Sequence, residues 1–199
     1  NRGFLKLERI DWRTSAIVLE KLIQYEAVHA IQGWRDLRRR LEADRRCFAL
    51  FHPQLRDEPL IFIEVALTRG MSAEVQPLLD INSQVAAPAQ ADCAIFYSIT
   101  NCQEGLRGTS FGNLLIKQVA EDLKREFPHL RSFATLSPIP GFRRWLGKTE
   151  TRVQLSMGPN AEQRLALLSS IDEPGWHSGE VSEPLQKLLL RLCAWYLLH

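Results

Sequence analysis

Cys93-Ala94-Ile95-Phe96-Tyr97-Ser98-Ile99, followed closely by Gly105-Leu106-Arg107-Gly108-Thr109-Ser110-Phe111-Gly112-Asn113-Leu114-Leu115-Ile116-Lys117, decides how this chain is read. The first run is short, apolar and rich in β-formers, which predicts a largely buried strand. The second joins a glycine-rich turn directly to an amphipathic helix. Glycines let successive backbone N–H groups converge on one point without a Cβ in the way, and the helix adds its unpaired donors and positive dipole end. That combination anticipates an anionic phosphate ligand. A plain loop entering a helix has the same local composition, so the weight rests on what surrounds it.

Working outward, apolar positions at Leu114, Leu115, Val119 and Leu123 carry the helix over 113–127, Pro128 breaks it, and residues 130–136 form a second candidate strand. Strand, crossover helix and strand make a parallel βαβ unit spanning residues 93–137, with the glycine turn at the carboxyl end of the first strand, where α/β sheets bind ligands. The G-x-G-x-x-G spacing of a dinucleotide site is not met. Toward the amino end, Thr14 or Ser15 is placed to cap a helix carrying Ile17, Val18, Leu19, Leu22 and Ile23, and a second helix is expected over 34–41. Residues 46–51 and 59–68 predict an antiparallel pair joined by a long polar connection, and 82–92 a surface loop. Beyond 146 the predicted elements are helices over 161–170 and 184–198, the latter with Leu185, Leu188, Leu189, Leu192, Trp195 and Tyr196 as a core face.

Composition sets limits. With 199 residues, 45% of them hydrophobic, the chain can bury a sizeable core. A net charge of +2 argues for no nucleic-acid partner, and the run Arg35-Asp36-Leu37-Arg38-Arg39-Arg40 with Arg45-Arg46 is expected to be a solvated helix face rather than a phosphate patch. Cys47, Cys93, Cys102 and Cys193 lack the pairing of a metal site and fit a reducing compartment. No apolar run reaches the ~18 residues of a membrane span, and no secretory leader is visible.

The turn Arg107-Gly108-Thr109-Ser110-Phe111-Gly112 resembles the R/Q-x-x-G-x-G/A motif of the acetyltransferase-like superfamily that binds coenzyme A, with Ser110 where glycine is usual. The wording of Phe127-Pro128-His129-Leu130 and Thr135-Leu136-Ser137-Pro138-Ile139-Pro140-Gly141-Phe142 is similar to malonyl-CoA decarboxylases. So are Gly3-Phe4-Leu5, Glu26-Ala27-Val28-His29, Arg45-Arg46-Cys47, Phe96-Tyr97-Ser98-Ile99 and Leu192-Cys193-Ala194-Trp195-Tyr196, in the family's order along most of the chain.

The resemblance implies an α/β (α+β) fold, GNAT-like, with a mixed sheet flanked by helices and a helical carboxyl-terminal part. It implies one catalytic domain over 1–199. It also implies decarboxylation of malonyl-CoA to acetyl-CoA and CO2, by a full-length protein that assembles as a homo-oligomer; the bacterial-like wording favours the cytoplasm, with mitochondrial and peroxisomal addresses left as alternatives. The thioester is itself the electron sink, so no metal or organic cofactor is expected. A CoA-dependent acyltransferase and a non-catalytic CoA-binding module are the alternatives. Arg107, Gly108, Thr109, Ser110, Phe111, Gly112 and Asn113, with Ile99, are the expected CoA-binding residues. Ser137, held by Pro138 and Pro140, occupies the position of the family's catalytic serine. That serine works with a histidine in a phrase of the type F-H-L-x-N-G-A, which is not among these residues, and neither is the family's helical amino-terminal domain. These residues are thus expected to be part of a longer chain. His29, His52, His129, His177 and His199 have no motif that assigns any of them as the partner.

Overall fold

The computed structural model describes residues 2–106, 111–148, 159–173, 175–176 and 181–198. They fall into two compact units, one ending at Ser137 and one beginning at Pro138.

The first unit is built on strands β1 (Lys6–Ile10), β2 (Arg45–Phe51), β3 (Pro59–Thr68), β4 (Cys93–Asn101) and β5 (Ser132–Thr135). They form one mixed sheet in the order β1-β2-β3-β4-β5, antiparallel except for the parallel β4–β5 pair. Helix α4 (Phe111–Glu126) is the crossover between β4 and β5, as the apolar spacing predicts. Its Leu115, Val119 and Leu123 are fully buried against Phe48, Leu50, Ile61, Ile63, Val65, Ala94 and Phe96. The other face of β2 and β3 presents Cys47, Ala49, Phe51 and Phe62 to α1 (Ala16–Tyr25) and α2 (Trp34–Arg40), which contribute Val18, Leu19, Leu22 and Leu37. Odd and even strand positions therefore feed two separate apolar layers, which is why β2 and β3 read as unbroken apolar runs. Short elements escape the sequence reading, among them β1, whose only apolar residues are Leu7 and Ile10, and α3 (Gln76–Leu79), a single turn.

Two expectations are corrected. Ser15 stands at the N-cap position of α1, but its side chain does not cap the helix: Ser15 Oγ donates to Asp57 Oδ1 at 3.3 Å, and the Thr14 hydroxyl accepts from the Asp11 N–H at 3.0 Å. The arginine run is a solvated face only at Arg35 and Arg38. Arg39, Arg40, Arg45 and Arg46 are each no more than 6% exposed. Arg39 grips Asp44 with two bonds of 2.7 and 2.9 Å, and Arg40 bridges Asp36 at 2.8 Å and Glu64 at 3.0 Å. Arg46 reaches Glu126 on α4 at 2.6 Å and covers the Phe127 ring, its guanidinium 4.9 Å from the centroid. Carboxylates from β3, α4 and the α2–β2 turn make this burial tolerable, since buried charge persists only when paired.

The second unit contains α5 (Phe142–Leu146), α6 (Ala161–Ser169) and α7 (Glu183–Leu198). Leu146, Leu168, Ile171, Leu185 and Leu192 are its buried core. The Trp145 ring stacks between Phe142 and Trp195 at 5.6 and 5.4 Å, and Tyr196 Oη donates to the Pro140 carbonyl at 2.8 Å. The α7 face expected to be core is only half covered among the described residues: Leu185 and Leu192 are buried, whereas Trp195 is 46% exposed.

Candidate functional site

The site begins with one extra residue in β4. Val65 of β3 pairs with Phe96 and Glu64 pairs with Ser98, so Tyr97 is inserted as a β-bulge. Upstream of it β4 is flanked by β5, from the Cys93–Ser132 pair to the Phe96–Thr135 pair, and the Leu136 N–H closes the run with a 2.8 Å bond to the Phe96 carbonyl. Downstream, β4 continues to Asn101 with, among the described residues, β3 on one side only. The two parallel strands thus part at the bulge and leave a notch.

Ile99 lies in the open half of β4. The Cys102 N–H donates to the Leu60 carbonyl at 3.0 Å, which sets the alternation of the β3–β4 ladder, so Ile99 turns its own N–H and C=O away from β3 and into the notch. The Ile99 side chain points to the α4 layer. A Cβ on Gly112 would lie 3.8 Å from Ile99 Cγ2, so the start of α4 seats directly beside this strand. Phe111 packs into the same layer, and Asn113 is exposed in the first turn of α4. The 16-residue helix starts beside the carboxyl half of β4, so the positive end of its dipole lies there. Of the expected CoA-binding residues, Ile99, Phe111, Gly112 and Asn113 are therefore brought together. Arg107, Gly108, Thr109 and Ser110 lie outside the described residues. Ser137 is exposed and stands two residues beyond the end of β5.

Sequence reading misses the polar groups behind β4. The bulge turns Tyr97 and Ser98 both to the sheet face opposite α4, Tyr97 against Ala66 and Leu78 and Ser98 against Glu26. The Glu26 carboxylate accepts from Ser98 Oγ at 2.8 Å and Thr100 Oγ1 at 3.2 Å, and from the Val28 and His29 N–H groups at 2.8 Å each. Two hydroxyl residues at i and i+2 in an apolar strand were the available signal. Beside them Glu64, fully buried, has its carboxyl pushed up to about 7 by burial and by the nearby Glu26 and Asp36, against the pull of Arg40. Glu64 Oε1, Tyr97 Oη and His29 Nε2 are buried with no hydrogen-bond partner among the described residues.

Burial holds the His29 imidazole below its usual range, with Arg40 adding to this and Glu26 opposing it. The His52 ring accepts from the Gln54 N–H, and His129 Nε2 meets the Pro88 carbonyl at 3.3 Å. His177 and His199 lie outside the described residues. Cys102, near the turn, has its thiol pushed up to about 12 by burial and by Glu58 and Glu26, which removes it as a nucleophile near neutrality. Among the described residues no group of His, Cys, Asp and Glu is arranged to hold a metal ion.

A family model described as the malonyl-CoA decarboxylase C-terminal domain matches residues 3–199. The mitochondrial malonyl-CoA decarboxylase of Rattus norvegicus is 38% identical over 217 residues, covering 98% of this chain and 44% of that protein. The protein of the same name from Anser anser anser is 38% identical over 214 residues, with 98% and 42% covered. Among solved structures, malonyl-CoA decarboxylase from Rhodopseudomonas palustris superposes with a TM-score of 0.86 at 48% identity over 98% of this chain and 48% of that one. The Agrobacterium vitis enzyme gives 0.81 at 50% identity over 96% and 46%. The chain spans less than half the length of these relatives.

Proposed function

The chain belongs to the malonyl-CoA decarboxylase family, matching its C-terminal domain, and from that premise we propose that the full-length protein converts malonyl-CoA to acetyl-CoA and CO2. The observation that carries this reading is the family match across residues 3–199, and the notch between β4 and β5 supports it. In this reading the CoA diphosphate sits on the backbone of residues 107–113 at the head of α4, and the pantetheine runs along the open edge of β4 beside Ile99. The thioester then arrives near Ser137.

Loss of CO2 puts negative charge on the thioester oxygen, and a preorganised donor there is worth ~3 to 4 kcal/mol in the transition state. Ser137 is the donor we assign, bonding the malonyl carboxylate or the developing enolate. Delivery of the proton falls to the family's histidine phrase, which these residues do not include. The thioester is the electron sink, so the reaction needs no cofactor. The wider reading includes homo-oligomeric assembly and a reducing compartment, the cytoplasm, suited to four free thiols at Cys47, Cys93, Cys102 and Cys193. No helix among the described residues is long and apolar enough to cross a membrane.

The test is CO2 release and acetyl-CoA formation from malonyl-CoA by the full-length protein. Ser137→Ala should lower kcat by about 10² to 10³ with KM little changed. A loss under ~3-fold would refute the role of Ser137, since a lost transition-state donor costs far more. Acetyl transfer to an added amine in place of decarboxylation would mark an acyltransferase. CoA binding without turnover would mark a non-catalytic module.

A further inference from the structure

Beyond its bulge β4 has, among the described residues, a neighbour on one edge only, and strand ends supported this way open locally at low cost. Residues 98–101 are held instead from α1. Glu26, the residue that follows α1, is 6% exposed, and its one carboxylate bonds the hydroxyls of Ser98 and Thr100. These are two successive positions on the same strand face, and Ile99 lies between them with its backbone toward the notch. The carboxylate is anchored in turn by the Val28 and His29 N–H groups at 2.8 Å.

A second carboxylate repeats the device one step further along. Glu58 accepts from Tyr25 Oη at 2.7 Å and from Gln103 Nε2 at 2.8 Å, and it pairs with Lys21. Its carboxyl is held below the usual range: burial pushes it upward, but the bonds from Lys21, Tyr25 and Gln103 outweigh that. Gln103 directly precedes the short turn Glu104–Leu106 that leads into residues 107–110. Burying a carboxylate costs more than burying an apolar side chain of the same size, so stability alone does not account for Glu26 at this point.

We propose that Glu26 and Glu58 are positioning residues for the acyl-CoA site, a proposal that rests on the function given above. Glu26, just after α1, and Glu58, just before β3 and bonded to Lys21 and Tyr25 of α1, fix the open half of β4 and Gln103 ahead of residues 107–110, and so set the affinity for the CoA moiety without touching it.

The experiment uses the full-length protein with CoA as calorimetric probe and malonyl-CoA as substrate. Ser98→Ala combined with Thr100→Val strips the donors from β4 and leaves Glu26 in place. Glu58→Gln weakens the second clamp at a less buried position. Leu19→Ala, a core truncation elsewhere on α1, is the stability control. Each clamp variant should bind CoA roughly tenfold more weakly and raise KM while kcat stays within about 3-fold, and Leu19→Ala should leave CoA affinity unchanged despite its lower Tm. Wild-type affinity in both clamp variants, or a loss no larger than that of Leu19→Ala, overturns the proposal alone. A wild-type protein that does not bind CoA overturns the acyl-CoA reading and this inference together.

Discussion

Gly141 has φ of 79°, and a Cβ added there would lie 2.9 Å from the Tyr196 hydroxyl that holds the Pro140 carbonyl. Two costs therefore coincide: left-handed backbone for a residue with a side chain, and a displaced hydrogen bond. Gly141→Ala is expected to lower stability by about 2 kcal/mol in urea denaturation, and by about 1 kcal/mol less when Tyr196 is already Phe, since the clashing atom is then gone. Gly112 is the opposite case. Its virtual Cβ makes ordinary contact with Ile99, so Gly112→Ala should leave the melting temperature unchanged or slightly raised, by up to ~1 kcal/mol of helix preference. If backbone amides of this turn face a diphosphate, the same variant loses CoA affinity in calorimetry; unchanged affinity would remove Gly112 from the site. At this scale Gly112 and Ile99 were legible because glycine and β-rich patterns are local. Glu26 was not, because its partner Ser98 is 72 residues away in the chain.

The packing of α2 against β2 and β3 turns a run of arginines into buried ion pairs, and each partner becomes indispensable in consequence. Asp44 accepts from Arg39, touches Arg45 at 3.0 Å and is bonded by the Ala86 N–H at 3.1 Å. Asp44→Asn would leave two guanidinium groups buried without their counter-charge. We expect a loss of about 3 to 5 kcal/mol by chemical denaturation, against under ~1 kcal/mol for removing the exposed Glu42 partner of Arg38. Glu64 gives the pH signature of this layer. Its folded value near 7 lies above the ordinary 4.5, so the folded state holds the proton more tightly and this contribution is complete below about pH 4.5. It is lost as pH rises through 7. Relative to Glu64→Gln, the wild-type protein should therefore lose up to about 3 kcal/mol between pH 4.5 and 8, read from urea midpoints. A flat difference would show that Glu64 stays ionised throughout. The charge run in the sequence misled because its solvated reading depends on which face of α2 meets the sheet, and that is set by β3 and by the α2–β2 turn.

At the scale of the whole molecule, α7 exposes Leu190 by 68%, Leu197 by 64% and Leu198 by 78%. Large apolar side chains gathered on one helix favour association. A polypeptide of residues 1–199 is expected to self-associate by light scattering, and Leu190→Gln with Leu197→Gln to shift it toward monomer; no change would place the contact elsewhere. The order strand, helix, strand of β4, α4 and β5 was written in the sequence, and so was family membership, because propensity, periodicity and motif wording are properties of neighbours in the chain. The parting of β4 from β5, the Tyr97 bulge, the buried arginines and the carboxylate clamps were decided only by tertiary structure. Each depends on which distant groups meet, such as Arg46 and Glu126 across 80 residues. Burial then fixes the energy of those meetings, and no local pattern records it.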